Sequence, residues 1–319
     1  MIKNGYASRN IPSFEQFKGV YNRRISAKKS GDKQTANNLK LILNTCYGAT
    51  LNRYNKLNDP LNARSVCISG QLYLVELAMH LYQDIPDLKV VSLNTDGILI
   101  EFDDSHYSKV LEITQEWQQR TGFELEEDKI RQLIQKDVNG YCMTMYDGKV
   151  KIKGGVLVRG IAPAGVFNVN NNACVVAKAV KDYLAYGVPV EQTVMECDRL
   201  LDFQLVAKTW AKCGNAFHSI NGKLVETQRV NRVYAVTDYR FGTLYMLDPD
   251  TGNYRKMTGL PEKCVIDNDN HLTIDVIDRD WYIRLAKRYV RDFLGLKPPK
   301  RNTRNVNSIK KKLLEILEV

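Results

Sequence analysis

Residues 90–102, VVSLNTDGILIEF, set one acidic side chain, Asp96, in a tight turn between two apolar runs. Alternating aliphatic residues on both sides of Asn94-Thr95-Asp96-Gly97 read as a β-hairpin, because an Asp-Gly dipeptide between such runs supplies the backbone conformations a tight turn needs. A carboxylate at the tip of so apolar a hairpin is poorly placed for packing and well placed to bind a hard cation such as Mg2+. Asp and Asn also occupy such turns for backbone reasons alone, which is the plain alternative. Upstream, residues 37–48 read NNLKLILNTCYG and carry a lysine on a predicted helix. A cationic helix followed by a carboxylate-bearing hairpin suits phosphate chemistry.

Working outward, residues 13–30 read as a basic amphipathic helix ending at Ser30-Gly31, and 33–46 as a second helix running into Tyr47-Gly48. Together they form a positively charged helical hairpin. Residues 64–83, RSVCISGQLYLVELAMHLYQ, have the apolar content of a largely buried helix. Beyond the Asp96 hairpin a helix is expected from about Ser105, as N-cap, to Arg120, closed by Thr121-Gly122. Strands are expected at 123–126, 138–146 and 149–158, the last two joined by Asp147-Gly148. This order of elements describes an α+β fold with an antiparallel sheet. After Gly160-Ile-Ala-Pro-Ala-Gly165 the pattern changes to helices near 170–186 and 190–210, strands over 217–275 and a helix over 280–294. The tail from Lys297 reads as a basic linker with a short terminal helix.

The formal net charge of the 319 residues is +10, unevenly spread. Residues 1–60 and 281–319 each hold 11 Lys/Arg against 3 Asp/Glu, leaving the middle at −6. Two basic ends around a mildly acidic centre suit a polyanion gripped from two sides, or else are solvated helix faces. Seven scattered cysteines without a C-x-x-C spacing suggest neither a disulfide framework nor a zinc site. The four histidines form no metal-binding pair and read as structural. No signal peptide or membrane span is apparent, so a cytoplasmic location is expected.

Two further constellations bear on chemistry. Lys40, Asn44 and Tyr47 lie four and three residues apart and project from one helical face, where an amine, an amide and a phenol could hold a triphosphate, a sugar and a base edge. The plain reading is a solvated lysine above a packed tyrosine. Tyr141 precedes a strand in which Lys149, Lys151 and Lys153 alternate, sending their amines to one face as a ladder suited to a phosphate backbone. Alternating lysines also fit the solvent side of an edge strand.

In this order the three segments resemble a family B DNA polymerase of the smaller bacteriophage type. The K-x-x-x-N-x-x-Y-G pattern matches Lys40, Asn44, Tyr47 and Gly48. In the family these positions belong to the fingers helix that binds the incoming nucleotide. The Asp-Thr-Asp-Ser turn of the palm is similar to Asn94-Thr95-Asp96-Gly97, with Asp96 at the family's metal-ligand position. The K-x-Y region that holds the primer strand resembles Tyr141 with Lys149, Lys151 and Lys153. Gly70-Gln71, ELEED at 124–128, NRVYAV at 231–236 and the segment 278–293 also look like family sequence, so the resemblance spans nearly the whole chain.

The resemblance implies fingers over 1–55, the C-terminal part of a palm over 56–160, and a mixed helical and strand thumb with a basic tail over 161–319. It implies nucleotidyl transfer from a dNTP to a primer 3′ hydroxyl on template DNA with two Mg2+ ions. Asp96 would be the catalytic metal ligand; Lys40, Asn44, Tyr47, Gly48 and, from the preceding helix, Lys28 would bind nucleotide. Two departures matter. The first acidic residue of the palm turn is Asn94 here, although the family's metal ligand is the second, matched by Asp96. The family's D-x-x-S-L-Y-P segment, which carries its other metal-binding aspartate, has no counterpart, and its proofreading exonuclease is missing too. The expectation is therefore a split polymerase: an N-terminal chain carrying the exonuclease and the first palm aspartate would complete the palm. A starting methionine close before the fingers helix fits a split gene, and equally a sequence trimmed from a longer one. The alternative is an inactive remnant that binds DNA through its basic surfaces.

Overall fold

The computed structural model of the protein describes residues 4–6, 14–94, 97–161 and 170–296. Among them are seven α-helices and four antiparallel sheets, an α+β fold. The chain divides into two compact units, Met1–Glu127 and Asp128–Val319. The division falls inside residues 56–160, so the Asp96 hairpin and the lysine-bearing hairpin belong to different units.

The first unit opens with α1 (Phe14–Lys29) and α2 (Lys33–Leu51), reversed at Gly31, whose φ of 79° is a backbone conformation that favours glycine. Asp32 caps α2 by accepting from the Thr35 amide at 3.0 Å, and those hydrogen bonds hold its carboxyl below the usual carboxylate range. Helix α3 (Pro60–Asp84) starts on an Asp59 cap with Pro60 in its first turn. It leads into β1 (Lys89–Leu93) and β2 (Ile98–Glu101), a two-stranded antiparallel sheet, then α4 (Tyr107–Thr121), which ends on Gly122 at φ 66°. Leu77, Leu81, Ile85, Leu88, Val110, Ile113 and Trp117 form this unit's core. Trp117 donates its indole N–H to the Tyr73 carbonyl at 3.1 Å. The strand expected at 123–126 is absent. Phe123 packs as a core plug against Tyr73 and Trp117, and the Leu125 amide donates to Gln118 Oε1 at 2.7 Å, which satisfies a donor a sheet would otherwise take.

The second unit begins with β3 (Ile130–Asp137), β4 (Gly140–Met145) and β5 (Val150–Lys153), one antiparallel sheet in that order. Strand β3 was not expected: the sequence reading ran a strand through residues 138 and 139, which instead form the turn, with the Asn139 amide bonded to Asp137 Oδ1 at 2.9 Å. Helices α5 (Cys174–Tyr186) and α6 (Val190–Met195) follow. The helix expected over 190–210 stops at Met195, because the Arg279 guanidinium donates to the carbonyls of Val194, Met195 and Cys197 at 2.7, 3.0 and 2.9 Å and satisfies the helix end. The chain then supplies β6 (Leu205–Lys208), β7 (Ala216–Ile220), β8 (Lys223–Glu226), β9 (Val230–Ala235), β10 (Phe241–Leu247), β11 (Tyr254–Lys256) and β12 (Cys264–Ile266), and ends its described part on α7 (Arg279–Phe293). These strands form two sheets, ordered β12-β9-β6 and β11-β10-β7-β8.

Tyr282 fastens this unit. Fully buried, it donates its hydroxyl to the Phe203 carbonyl at 2.6 Å and accepts from the Ala235 amide at 3.1 Å, tying α7 to β9 and to the segment before β6. Its phenol is held well above the ordinary range by burial. His218, also buried, lies parallel to Phe241 and donates Nε2–H to the Cys264 carbonyl at 2.7 Å, a packing role. Replacing Tyr282 by Phe should keep the shape but orphan a buried amide and a buried carbonyl. A loss of about 1–3 kcal/mol in urea unfolding is expected, whereas an unchanged midpoint would show that these bonds do not fasten the unit.

Candidate functional site

In the first unit, α2 carries the proposed nucleotide-binding face. Lys40, Asn44 and Gly48 are exposed, while Leu39, on another side of the helix, is buried. Tyr47 is half-buried and turned to α3: its hydroxyl lies 2.8 Å from Cys67 Sγ and 3.5 Å from the Ala63 carbonyl. The hydrogen bond to Cys67, then burial, raises the phenol above its ordinary pKa. The face is thus divided by its surroundings: its lower end rests on α3, and one to two turns earlier it is free. Lys28 on α1 is ion-paired with Glu126. Lys40 has no carboxylate partner among the described residues, so of the two amines it is the one left to meet an anion.

Strands β1 and β2 pair from Lys89 opposite Glu101 to Leu93 opposite Ile98, with a one-residue register shift at Val91, and the Asn94 amide closes the turn on the Gly97 carbonyl at 2.9 Å. Asp96 and Thr95 lie outside the described residues. Among the described residues no group of three or more His, Cys, Asp or Glu side chains could hold a metal ion. Neither β1 nor β2 pairs with a third strand among the described residues, although Val90, Val91 and Leu93 are all at least partly open to solvent. Such a two-stranded sheet is marginal in water without further cover.

The outward face of α3 has the same character. Ile68, Leu72, Val75, Met79 and Tyr82 recur at three- and four-residue steps, with Leu61 two turns before them, so they form one stripe, and each is 43–68% exposed. The opposite face, with Leu74, Leu77 and Leu81, is already in the core. A helix apolar on both sides normally has both covered. A stripe of this length presents on the order of several hundred Å2 of apolar surface, the size that marks an interaction face.

No known family model matches the chain, and no curated protein matches it. The chemistry must be read from the residues themselves.

In the second unit, Tyr141 on β4 stands directly opposite Lys153 on β5, and Met143 opposite Lys151. The intervening positions, Cys142 and Ile152, face the core, so Tyr141 and the two lysines share the outer side of the sheet. Lys149 lies in the turn before β5, and its Nζ bonds Asp147 Oδ2 at 2.6 Å; that bond raises the lysine pKa and lowers the carboxyl. Lys151 is bonded to Asp128 at 2.6 Å. Lys153 has no carboxylate partner among the described residues. Sequence reading found the lysines but not these engagements: Asp147 was legible as a local turn pair, whereas Asp128 comes from 23 residues away. Exposed pairs of this kind are worth about 0–1 kcal/mol, so phosphate can displace them. If the outer side of this sheet tracks DNA, Lys153→Ala should flatten the log–log salt dependence of DNA affinity by about 0.9, and Lys149→Ala by less because Asp147 already holds that amine. Equal slopes for wild type and Lys153→Ala would remove Lys153 from the interface.

Proposed function

We infer that the chain acts as the C-terminal part of a template-directed DNA polymerase, completed by a second polypeptide that carries the other palm carboxylate. The reading rests on the three segments that resemble the family and is supported above all by one observation: Lys40 and Asn44 stand exposed, with no ion pair or side-chain hydrogen bond among the described residues, on a basic helical hairpin in the same compact unit as the hairpin closed by Asn94 and Gly97. Among the described residues the α3 stripe is uncovered and the β1–β2 sheet has two unpaired edges, which supports the need for a partner.

In the reaction the primer 3′ hydroxyl attacks the α-phosphate of the dNTP in line, forming the phosphodiester and releasing pyrophosphate. Lys40 offsets the charge of the triphosphate, and a positioned cation contributes most where that charge grows in the transition state. Asn44 orients the nucleotide, and Gly48, without a side chain, leaves room for the base pair above Tyr47. Tyr47 acts through its packing on α3, since its hydroxyl is engaged there. Asp96 together with a carboxylate of the partner would hold Mg2+, which when bound lowers the pKa of the attacking hydroxyl and offsets charge on the leaving pyrophosphate. Tyr141 and Lys153 contact the primer backbone, and Lys149 and Lys151 do so after release from Asp147 and Asp128. Lys28 contributes only if Glu126 lets it go.

The test is Mg2+-dependent extension of a primed template by this chain mixed with the polypeptide encoded immediately upstream. Extension is expected with the mixture, lost in Asp96→Ala with DNA binding retained. Lys40→Ala should raise the KM for dNTP about 10- to 100-fold, the equivalent of one lost charge-assisted contact. DNA binding without extension under any pairing would mean a basic DNA-binding remnant and refute the enzyme.

A further inference from the structure

The second unit carries an aromatic and cationic patch that none of the polymerase assignments uses. Along β6, Leu205 and Ala207 point into the core, as does Thr209 beyond its end, while Val206, Lys208 and Trp210 point out. Strand β6 is the edge strand of the sheet ordered β12-β9-β6, and its Val206 amide is bonded to Asn172 Oδ1 at 3.3 Å. Its neighbour β9 places Arg232 opposite Val206 and Val230 opposite Lys208, so these two share the outer side, whereas Arg229, whose carbonyl accepts from the Thr209 amide at 3.2 Å, stands opposite the inward-pointing Thr209. Trp210 is 54% exposed, whereas Trp117 is buried and Trp281 is half-buried against Tyr282.

Lys212, two residues past Trp210, and Arg240, Arg255 and Lys256 are each paired with a carboxylate. Lys208 and Arg232, on the outer side of the sheet, have no such partner among the described residues. Arg232 instead donates to the Asn270 side-chain oxygen, which orients the guanidinium and leaves its charge free.

We propose that this edge, centred on Trp210, is a stacking platform for single-stranded nucleic acid. The exposed indole, with Val230 diagonally across the strand pair, offers a flat apolar face to a base, and Lys208 next to it and Arg232 farther along the same side of the sheet match the adjoining phosphates. A duplex would not use the indole, because its bases are already stacked on one another. The inference is independent of Asp96 and holds whether or not the chain polymerises DNA.

The full-length chain is titrated with a fluorescein-labelled 12-nucleotide oligo(dT), followed by anisotropy and by tryptophan fluorescence. Saturable quenching is expected, with affinity falling roughly 5- to 150-fold in Trp210→Ala, the range for losing one stacked base. Trp210→Phe should restore most of the affinity while abolishing most of the quenching. Equal affinity of Trp210→Ala and wild type would overturn the proposal, as would stronger binding of a duplex of the same length. Poly-glutamate competing as well as oligo(dT) would reduce the patch to a general anion site and overturn it too.

Discussion

Helix α3 must satisfy two apolar faces at once, and the rest of the first unit follows from how it does so. Its inner face, with Leu74, Leu77 and Leu81, gathers α4 through Val110, Ile113 and Trp117 and seats the β1–β2 hairpin through Ile98 and Ile100. Its outer face, from Leu61 to Tyr82, gathers nothing among the described residues. Burial of apolar area is the main favourable term in folding. A unit that spends only one face of its central helix therefore has a thin core, and α1 and α2 add only Phe17, Ala27, Leu39 and Thr50 to its buried residues. This is the physical ground for treating the hairpin and the cationic helix as part of a larger assembly.

Electrostatics divides the lysines by what already holds them. Lys28, Lys149 and Lys151 face carboxylates, whereas Lys40, Lys153 and Lys208 face solvent. At physiological ionic strength the Debye length is about 8 Å, so an exposed amine acts mainly on an anion that comes to it. The unpaired amines are therefore the ones whose removal should matter, a distinction that composition alone does not make.

Much of the architecture was legible in the sequence. The α+β class, the two helices about Gly31, the apolar α3 and the Asp147-Gly148 hairpin all follow from periodicity and turn chemistry. What escaped was decided by contacts distant in sequence. Arg279 ends α6 from more than eighty residues away, and β6 pairs with β9 where helical periodicity had been read onward. Phe123 had strand character and became a core plug because Trp117 and Tyr73 offered it a better burial. At the site, Lys40 and Asn44 were readable as one helical face, but the engagement of Tyr47 by Cys67 and of Lys151 by Asp128 depends on neighbours no local pattern names. The Trp210 edge gave no motif at all. It is visible only once β6 is known to be the outer strand and its cations are known to lack partners.

Backbone amide exchange across residues 60–84, measured on the chain alone and with the upstream-encoded polypeptide added, addresses the central claim most directly. The account predicts that exchange along α3 and at the β1–β2 edge slows on mixing, while α7 and β9 are unchanged. Unaltered exchange along α3 in a mixture that extends primers, or full extension by the chain alone, would contradict it.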